Sequence, residues 1–116
     1  MDLNHLHIAV SDLDRSKRFY ETYLGFKERT YHGTTAFLSN SEGFDLALDP
    51  DYVPERLPKW FHMGVRLKSP DQVKVLFGMF ENGSEHILRK LEEYPDHVFF
   101  HVVDPDGYKI EIYWDQ

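Results

Sequence analysis

The stretch Asp104-Pro105-Asp106-Gly107-Tyr108-Lys109-Ile110-Glu111-Ile112-Tyr113-Trp114 joins a turn to an alternating strand. Pro-Asp-Gly favours a turn, because Pro presets φ, Asp bonds back to the backbone and Gly accepts a positive φ. After the turn, apolar residues fall on one face of the predicted strand and Glu111 falls on the other. A carboxylate beside a packed layer is costly to bury without a partner, so we expect Glu111 to meet a cation.

The composition limits the class of protein and of partner. The 116 residues, 41% of them hydrophobic, fit one compact domain, 1–116. The net charge of −7 disfavours nucleic acid and anionic membranes as partners. Cysteine is absent, which excludes disulfides, Cys-ligated metals and thiol nucleophiles. The N-terminus lacks the pattern of a signal peptide and no apolar run suits a membrane span, so a cytoplasmic location is expected.

Periodicity predicts a repeated order of strand, helix and three strands. In the first module, about 3–49, Ser11 or Asp12 caps the helix and Gly25 stops it. The strands of this module are predicted at 3–10, 26–31, 34–39 and 43–49.

A connector, 50–60, separates this module from a second one at about 61–115. Ser69-Pro70 begins the second helix, with Gln72 closing a capping box, and Asn82-Gly83 ends it. The strands are predicted at 61–67, 85–91, 97–103 and 107–114.

Polar residues mark the non-core faces of these strands. His5 and His62 lie on the first strand of each module, and Glu111 lies on the last strand of the second. If helices cover the apolar faces, the polar faces enclose a cavity that is also lined by His7, Asp45, Asp49, Arg66, Lys109 and Tyr113. Two imidazoles and a carboxylate converging there suit Fe(II), Mn(II), Ni(II) or Zn(II), with coordination positions left open.

Two motifs carry a family resemblance. The run His5-Leu-His-Ile-Ala-Val-Ser-Asp-Leu-Asp-Arg-Ser-Lys-Arg-Phe-Tyr-Glu-Thr-Tyr-Leu-Gly25 resembles the opening of the glyoxalase, fosfomycin-resistance and extradiol-dioxygenase superfamily, the vicinal oxygen chelate proteins. Asp104-Pro-Asp-Gly-Tyr-Lys-Ile-Glu111 resembles its closing motif. The resemblance implies an α+β fold in which two βαβββ modules form a curved, partly open barrel around a metal cleft. It assigns the metal to His5, His62 and Glu111, and implies a homodimer whose modules pair within or across chains.

Three departures from known members bear on function. Overlaying the modules places Ala47 opposite Glu111, so the fourth protein ligand of glyoxalase I proper is missing, and Asp45 replaces it only after a register shift. Fosfomycin thiol transferases resemble this chain at the opening motif but have Thr at the position of His7. Extradiol dioxygenases have a Tyr ten residues before the closing Glu, where this chain has His101.

The mechanism implied by the resemblance is chelation of vicinal substrate oxygens by a Lewis-acidic metal while a nearby base moves a proton. His7 and His101 are the candidate bases. Asp45, Arg66 and Tyr113 are expected to line the pocket, with a structural salt bridge as the alternative for Arg66. The predicted function is a metal-dependent lyase, isomerase or transferase acting on a small oxygenated molecule. The alternatives are an Fe(II) ring-cleaving dioxygenase and a metal-free small-molecule-binding protein of the bleomycin-resistance kind.

Overall fold

The computed structural model describes residues 1–83 and 86–116, which form two compact units, Met1–Glu55 and Arg56–Gln116. Each unit contains one helix and one four-stranded sheet, in the order strand, helix, three strands. The predicted α+β fold of two βαβββ modules is therefore confirmed. Within the described residues, neither helix is long and apolar enough to cross a membrane.

The first unit consists of β1 (His5–Val10), α1 (Leu13–Tyr23), β2 (Lys27–His32), β3 (Thr35–Ser39) and β4 (Asp45–Pro50), with the sheet order β1-β4-β3-β2. Asp12, not Ser11, caps α1 by accepting a hydrogen bond from the Arg15 backbone N–H at 3.1 Å. Gly25, at a φ of +70°, follows the end of the helix as predicted. The apolar faces of α1 and the sheet form a core that contains Ile8, Val10, Phe19, Tyr20, Leu38, Leu46 and Leu48.

The second unit consists of β5 (Met63–Arg66), α2 (Pro70–Asn82), β6 (Ile87–Tyr94), β7 (His97–Val103) and β8 (Lys109–Asp115), with the sheet order β5-β8-β7-β6. Ser69 caps α2, as predicted, by accepting from the Gln72 backbone N–H at 3.2 Å. The Gln72 side chain accepts from the Lys68 backbone N–H and not from that of Ser69, so the expected capping box is displaced by one residue. The predicted beginning of β6 at residue 85 lies outside the described residues.

The strand β5 is shorter than predicted, and His62 lies immediately before it. A backbone hydrogen bond of 3.0 Å from Phe61 N–H to the Pro58 carbonyl holds the preceding residues in a turn. This turn keeps Phe61 and His62 out of the ladder with β8, which begins at Met63.

The two sheets share one pairing register. In the first unit β1 runs parallel to β4, and His7 lies opposite Ala47. In the second unit β5 runs parallel to β8, and Gly64 lies opposite Glu111. His7 and Gly64 each follow a candidate ligand histidine by two positions, so Ala47 and Glu111 occupy equivalent places. The overlay predicted from the sequence is confirmed.

Candidate metal centre

Glu111 lies in the middle of β8 and faces away from the core. Its neighbours Ile110 and Ile112 are fully buried, whereas the Glu111 side chain is 27% exposed. One carboxylate oxygen lies 3.4 Å from Nε2 of His101, its cross-strand partner on β7. The other oxygen lies 4.0 Å from Nε2 of His62. Within the described residues of the second unit, two imidazoles therefore lie next to the Glu111 carboxylate.

His62 is oriented by a hydrogen bond to the backbone. Its Nδ1 donates to the Trp60 carbonyl at 2.9 Å. A neutral imidazole that carries its proton on Nδ1 has its lone pair on Nε2, and metal-binding histidines commonly hold their second nitrogen in this way. The 4.0 Å between Nε2 and the Glu111 oxygen can be spanned by one ion, since metal bonds to these atoms are about 2.0–2.2 Å long. His62 and Glu111 thus fit two ligands of a common ion.

His5, in the first unit, has the same local chemistry. It is exposed on β1, opposite Asp45, and its Nδ1 donates to the side-chain oxygen of Asn4 at 3.0 Å. Nε2 is again the nitrogen with the lone pair. Within either unit, the described residues form no group of three His, Asp or Glu side chains placed to hold a metal ion. The three-ligand set of His5, His62 and Glu111 remains a prediction.

Asp45 is engaged by other side chains of the first unit. It accepts hydrogen bonds from the Ser39 hydroxyl and, at 3.1 Å, from the Arg29 guanidinium. The Ser39 hydrogen bond and the Arg29 charge lower the pKa of Asp45. Arg29 lies at a register shift in β2, and its guanidinium sits 5.6 Å from the Phe37 ring centroid. Asp45 is therefore an ionised carboxylate whose charge is balanced by Arg29, and its place in a substrate pocket remains a prediction.

His7 forms a pair with Asp49 that the sequence did not reveal. His7 Nε2 donates to the Asp49 carboxylate, whose other oxygen accepts from the Thr35 hydroxyl at 2.8 Å. Asp49 lies on β4 opposite Ala9, one step along the same face as His7. The hydrogen bonds from Thr35 and then His7 lower the pKa of Asp49. An ionised carboxylate thus orients the candidate base His7.

The lowered pKa of Asp49 predicts a dependence of stability on pH. Such a carboxylate stabilises the folded state above its unfolded pKa, about 4, and this contribution disappears as the pH falls through the lower folded pKa. We expect Asp49→Asn to lower the urea midpoint at pH 7, and the difference from the unsubstituted protein to shrink below about pH 4. Urea titrations at pH 7 and pH 3 test this, with Asp2→Asn as an exposed control. An equal difference at both pH values would contradict the assignment.

The remaining predicted residues lie in the second unit. The Arg66 guanidinium binds the Asp115 carboxylate at 2.8 Å and donates to its carbonyl at 3.1 Å, so the structural salt bridge expected as the alternative is present. The ring of Tyr113 lies beside Gly64. A role of Arg66 or Tyr113 toward substrate remains a prediction.

The sequence pattern does not indicate the cation that lies next to His101 in the sheet. Arg89 on β6 is the cross-strand partner of His101, binds Glu92 and lies 5.0 Å from the Phe99 ring centroid. Glu92 also accepts from the Tyr94 hydroxyl at 2.8 Å, and the Tyr94 and Arg89 hydrogen bonds lower its pKa. The register shifts in β6 that place these side chains have no clear signal in the sequence.

This fold, with paired imidazole and carboxylate side chains on one sheet face, defines a class of small α+β proteins built from repeated βαβββ modules. Residues 2–112 match the model of the Glyoxalase/Bleomycin resistance protein/Dioxygenase superfamily. The chain belongs to this superfamily.

Named relatives agree with this assignment. The chain is 30% identical over 126 residues to Glyoxylase I 4 of Arabidopsis thaliana, covering 95% of this chain and 68% of the relative. It is 28% identical over 116 residues to Glutathione transferase FosA of Serratia marcescens, covering 96% and 79%.

Solved structures share the fold. A possible glyoxalase from Bacillus cereus superposes with a TM-score of 0.76 at 26% identity, covering 97% of both chains. A glyoxylase/bleomycin resistance protein/dioxygenase domain from Frankia superposes with a TM-score of 0.80 at 22% identity, covering 100% of this chain and 98% of the other.

Proposed function

We propose that this chain is a divalent-metal-dependent enzyme of lyase, isomerase or transferase type that acts on a small oxygenated molecule. The observation that carries the proposal is the pair formed by His62 and Glu111. Nδ1 of His62 is held by a backbone carbonyl, and Nε2 lies 4.0 Å from the carboxylate. The names of the two relatives, a glyoxylase and a glutathione transferase, support an enzyme.

The proposed roles follow from the side chains. His5, His62 and Glu111 hold the ion, and His5 contributes Nε2 because Asn4 engages Nδ1. A divalent ion bound there supplies Lewis acidity toward substrate oxygens. His7 moves the proton, and Asp49 keeps its ring oriented. His101 lies against Glu111 and is the second candidate for proton transfer.

The presence of Ala47 supports an enzyme whose metal ion has three protein ligands. It is 1% exposed and occupies the position equivalent to Glu111, and its methyl side chain has no oxygen with which to bind a metal. Asp45 does not replace it in the first unit, because Ser39 and Arg29 already bind that carboxylate. The proposal therefore places the chain with the transferase-like members and away from glyoxalase I proper, even though one relative is named a glyoxylase I.

His101 favours a second candidate, an Fe(II) ring-cleaving dioxygenase. It lies directly opposite Glu111 at the position where extradiol enzymes have a Tyr. An imidazole at this place can accept or donate a proton as a general base or acid, which ring cleavage of a catechol requires.

Elemental analysis of protein purified without chelator tests the proposal. We expect about one divalent ion per chain, removed by dialysis against EDTA and restored by adding the metal back. Nickel, zinc or manganese supports the first function, whereas iron with oxygen uptake on a catechol supports the dioxygenase. Protein that contains no metal and takes none up would contradict both, and would favour a binding protein of the bleomycin-resistance kind.

A further inference from the structure

Gly64 lies inside the strand β5, where glycine is an unfavourable residue. It is exposed, faces the same side of the sheet as Glu111 and pairs with it directly. Glycine within a strand often marks a bulge, a backbone in a strained conformation or the close approach of another group. The register from Met63 to Arg66 is regular, so there is no bulge at this position.

The fold itself does not require glycine at this position. The φ of Gly64 is not in the positive range. A Cβ added there would meet, among the described residues, only Cε1 of Tyr113, at 3.5 Å, which is an ordinary van der Waals contact. Neither backbone strain nor a close backbone requires this glycine, so one use left for the bare position is to leave room for a group from outside the chain.

The first unit shows what the same place in the sheet tolerates. The position equivalent to Gly64 carries His7, which lies opposite Ala47. Each pair thus contains one functional side chain and one small residue, but on opposite strands. In the first unit the large side chain stands on the first strand. In the second unit the large side chain is that of the candidate ligand Glu111, on the last strand, and the first strand has no side chain at Gly64.

We propose that Gly64 is a specificity-determining residue that keeps the space beside Glu111 open for the reacting end of the substrate. The substrate class is the one that the proposed function already implies, a small molecule that chelates through two adjacent oxygens, and acetohydroxamate is used as its probe. The inference rests on the proposed function, because Glu111 is taken to be a metal ligand. Tyr113, in contact range of any side chain at position 64, forms one wall of this space.

Acetohydroxamate binding to Ni²⁺-loaded protein, measured by calorimetry, tests the proposal with Gly64→Ala and Gly64→Val. We expect Gly64→Val to weaken acetohydroxamate binding about tenfold, since its added methyl groups would overlap the bound acetohydroxamate, and Gly64→Ala to weaken it less. Ni²⁺ affinity should stay within about twofold, because no ligand atom is removed. The metal-free Gly64→Ala protein should be at least as stable to urea as the unsubstituted protein, because alanine restricts the unfolded chain.

Gly78→Ala is the matched control. Gly78 lies in α2 with open space around its Cα, so the same added methyl group should leave acetohydroxamate binding unchanged. If Gly64→Val with Ni²⁺ bound kept its acetohydroxamate affinity, the proposed role of Gly64 would be overturned and the proposed function would not be affected. A Gly64→Ala protein that is unstable or changes its association state would also overturn it, because packing would then require the glycine. Failure of the unsubstituted protein to bind Ni²⁺ would remove the proposed function and this inference together.

Discussion

His62→Ala is expected to abolish metal binding while the protein stays folded. Loss of an outer hydrogen-bond partner commonly weakens metal binding 10- to 100-fold, so removing a ligand itself should cost more than about a hundredfold. The His62 side chain is 38% exposed, and replacing such a residue changes the free energy of unfolding by about 0.5 kcal/mol or less. Elemental analysis, metal titration and a urea curve on the same preparation measure both effects.

His86→Ala is a suitable control for this experiment. His86 also donates from Nδ1 to a backbone carbonyl, that of Val103, at 2.9 Å, but it carries no predicted metal role. It should retain the metal, so a loss in both variants would show that the effect is not specific to His62. His5→Ala should lose the metal as His62→Ala does, because the proposed site takes one histidine from each module. Retention of the ion in His62→Ala would contradict the assignment of the centre.

Phe100→Ala is expected to cause the largest loss of stability. Phe100 is fully buried on β7. Its ring packs edge-on against the rings of Phe77 and Phe80, with distances between ring centroids of 5.1 Å and 5.8 Å. These two aromatic contacts join α2 to the sheet. Truncating a buried Phe leaves a cavity that the surroundings only partly fill, and the free energy of unfolding should fall by about 3–5 kcal/mol.

Urea unfolding followed by circular dichroism measures this loss. Phe61→Ala is the control, because it makes the same change at a ring that is 47% exposed and should cost much less. The slope of unfolding free energy against urea should be unchanged, so that the shift in midpoint reports stability. A loss below about 1 kcal/mol for Phe100→Ala would mean that α2 is not anchored through this residue.

The helices and strands could be predicted from the sequence, because each is defined by the chemistry of a few neighbouring residues. Asp12, Ser69 and Gly25 define helix ends through their own backbone chemistry, and alternation in β8 separates Ile110 from Glu111. Helix ends and the faces of a strand can be predicted without knowing which strands pair.

The contacts between side chains depended on the pairing register and on irregularities, which local patterns do not contain. The His7–Asp49 pair exists because β1 and β4 run in parallel, although the two residues are 42 positions apart. The position of Arg29 depends on a register shift in β2. The alternation around His62 predicts that it lies within a strand, whereas the turn after Pro58 delays the beginning of the ladder with β8 until Met63.

One outer strand of each sheet, β2 or β6, carries a dense set of charges. These strands read Lys-Glu-Arg-Thr-Tyr-His and Ile-Leu-Arg-Lys-Leu-Glu-Glu-Tyr, and both contain register irregularities. Unpaired backbone groups at a sheet edge template the addition of further strands, and charges and bulges oppose that addition. The charges and irregularities of β2 and β6 therefore oppose fibril growth along these two edges at high protein concentration.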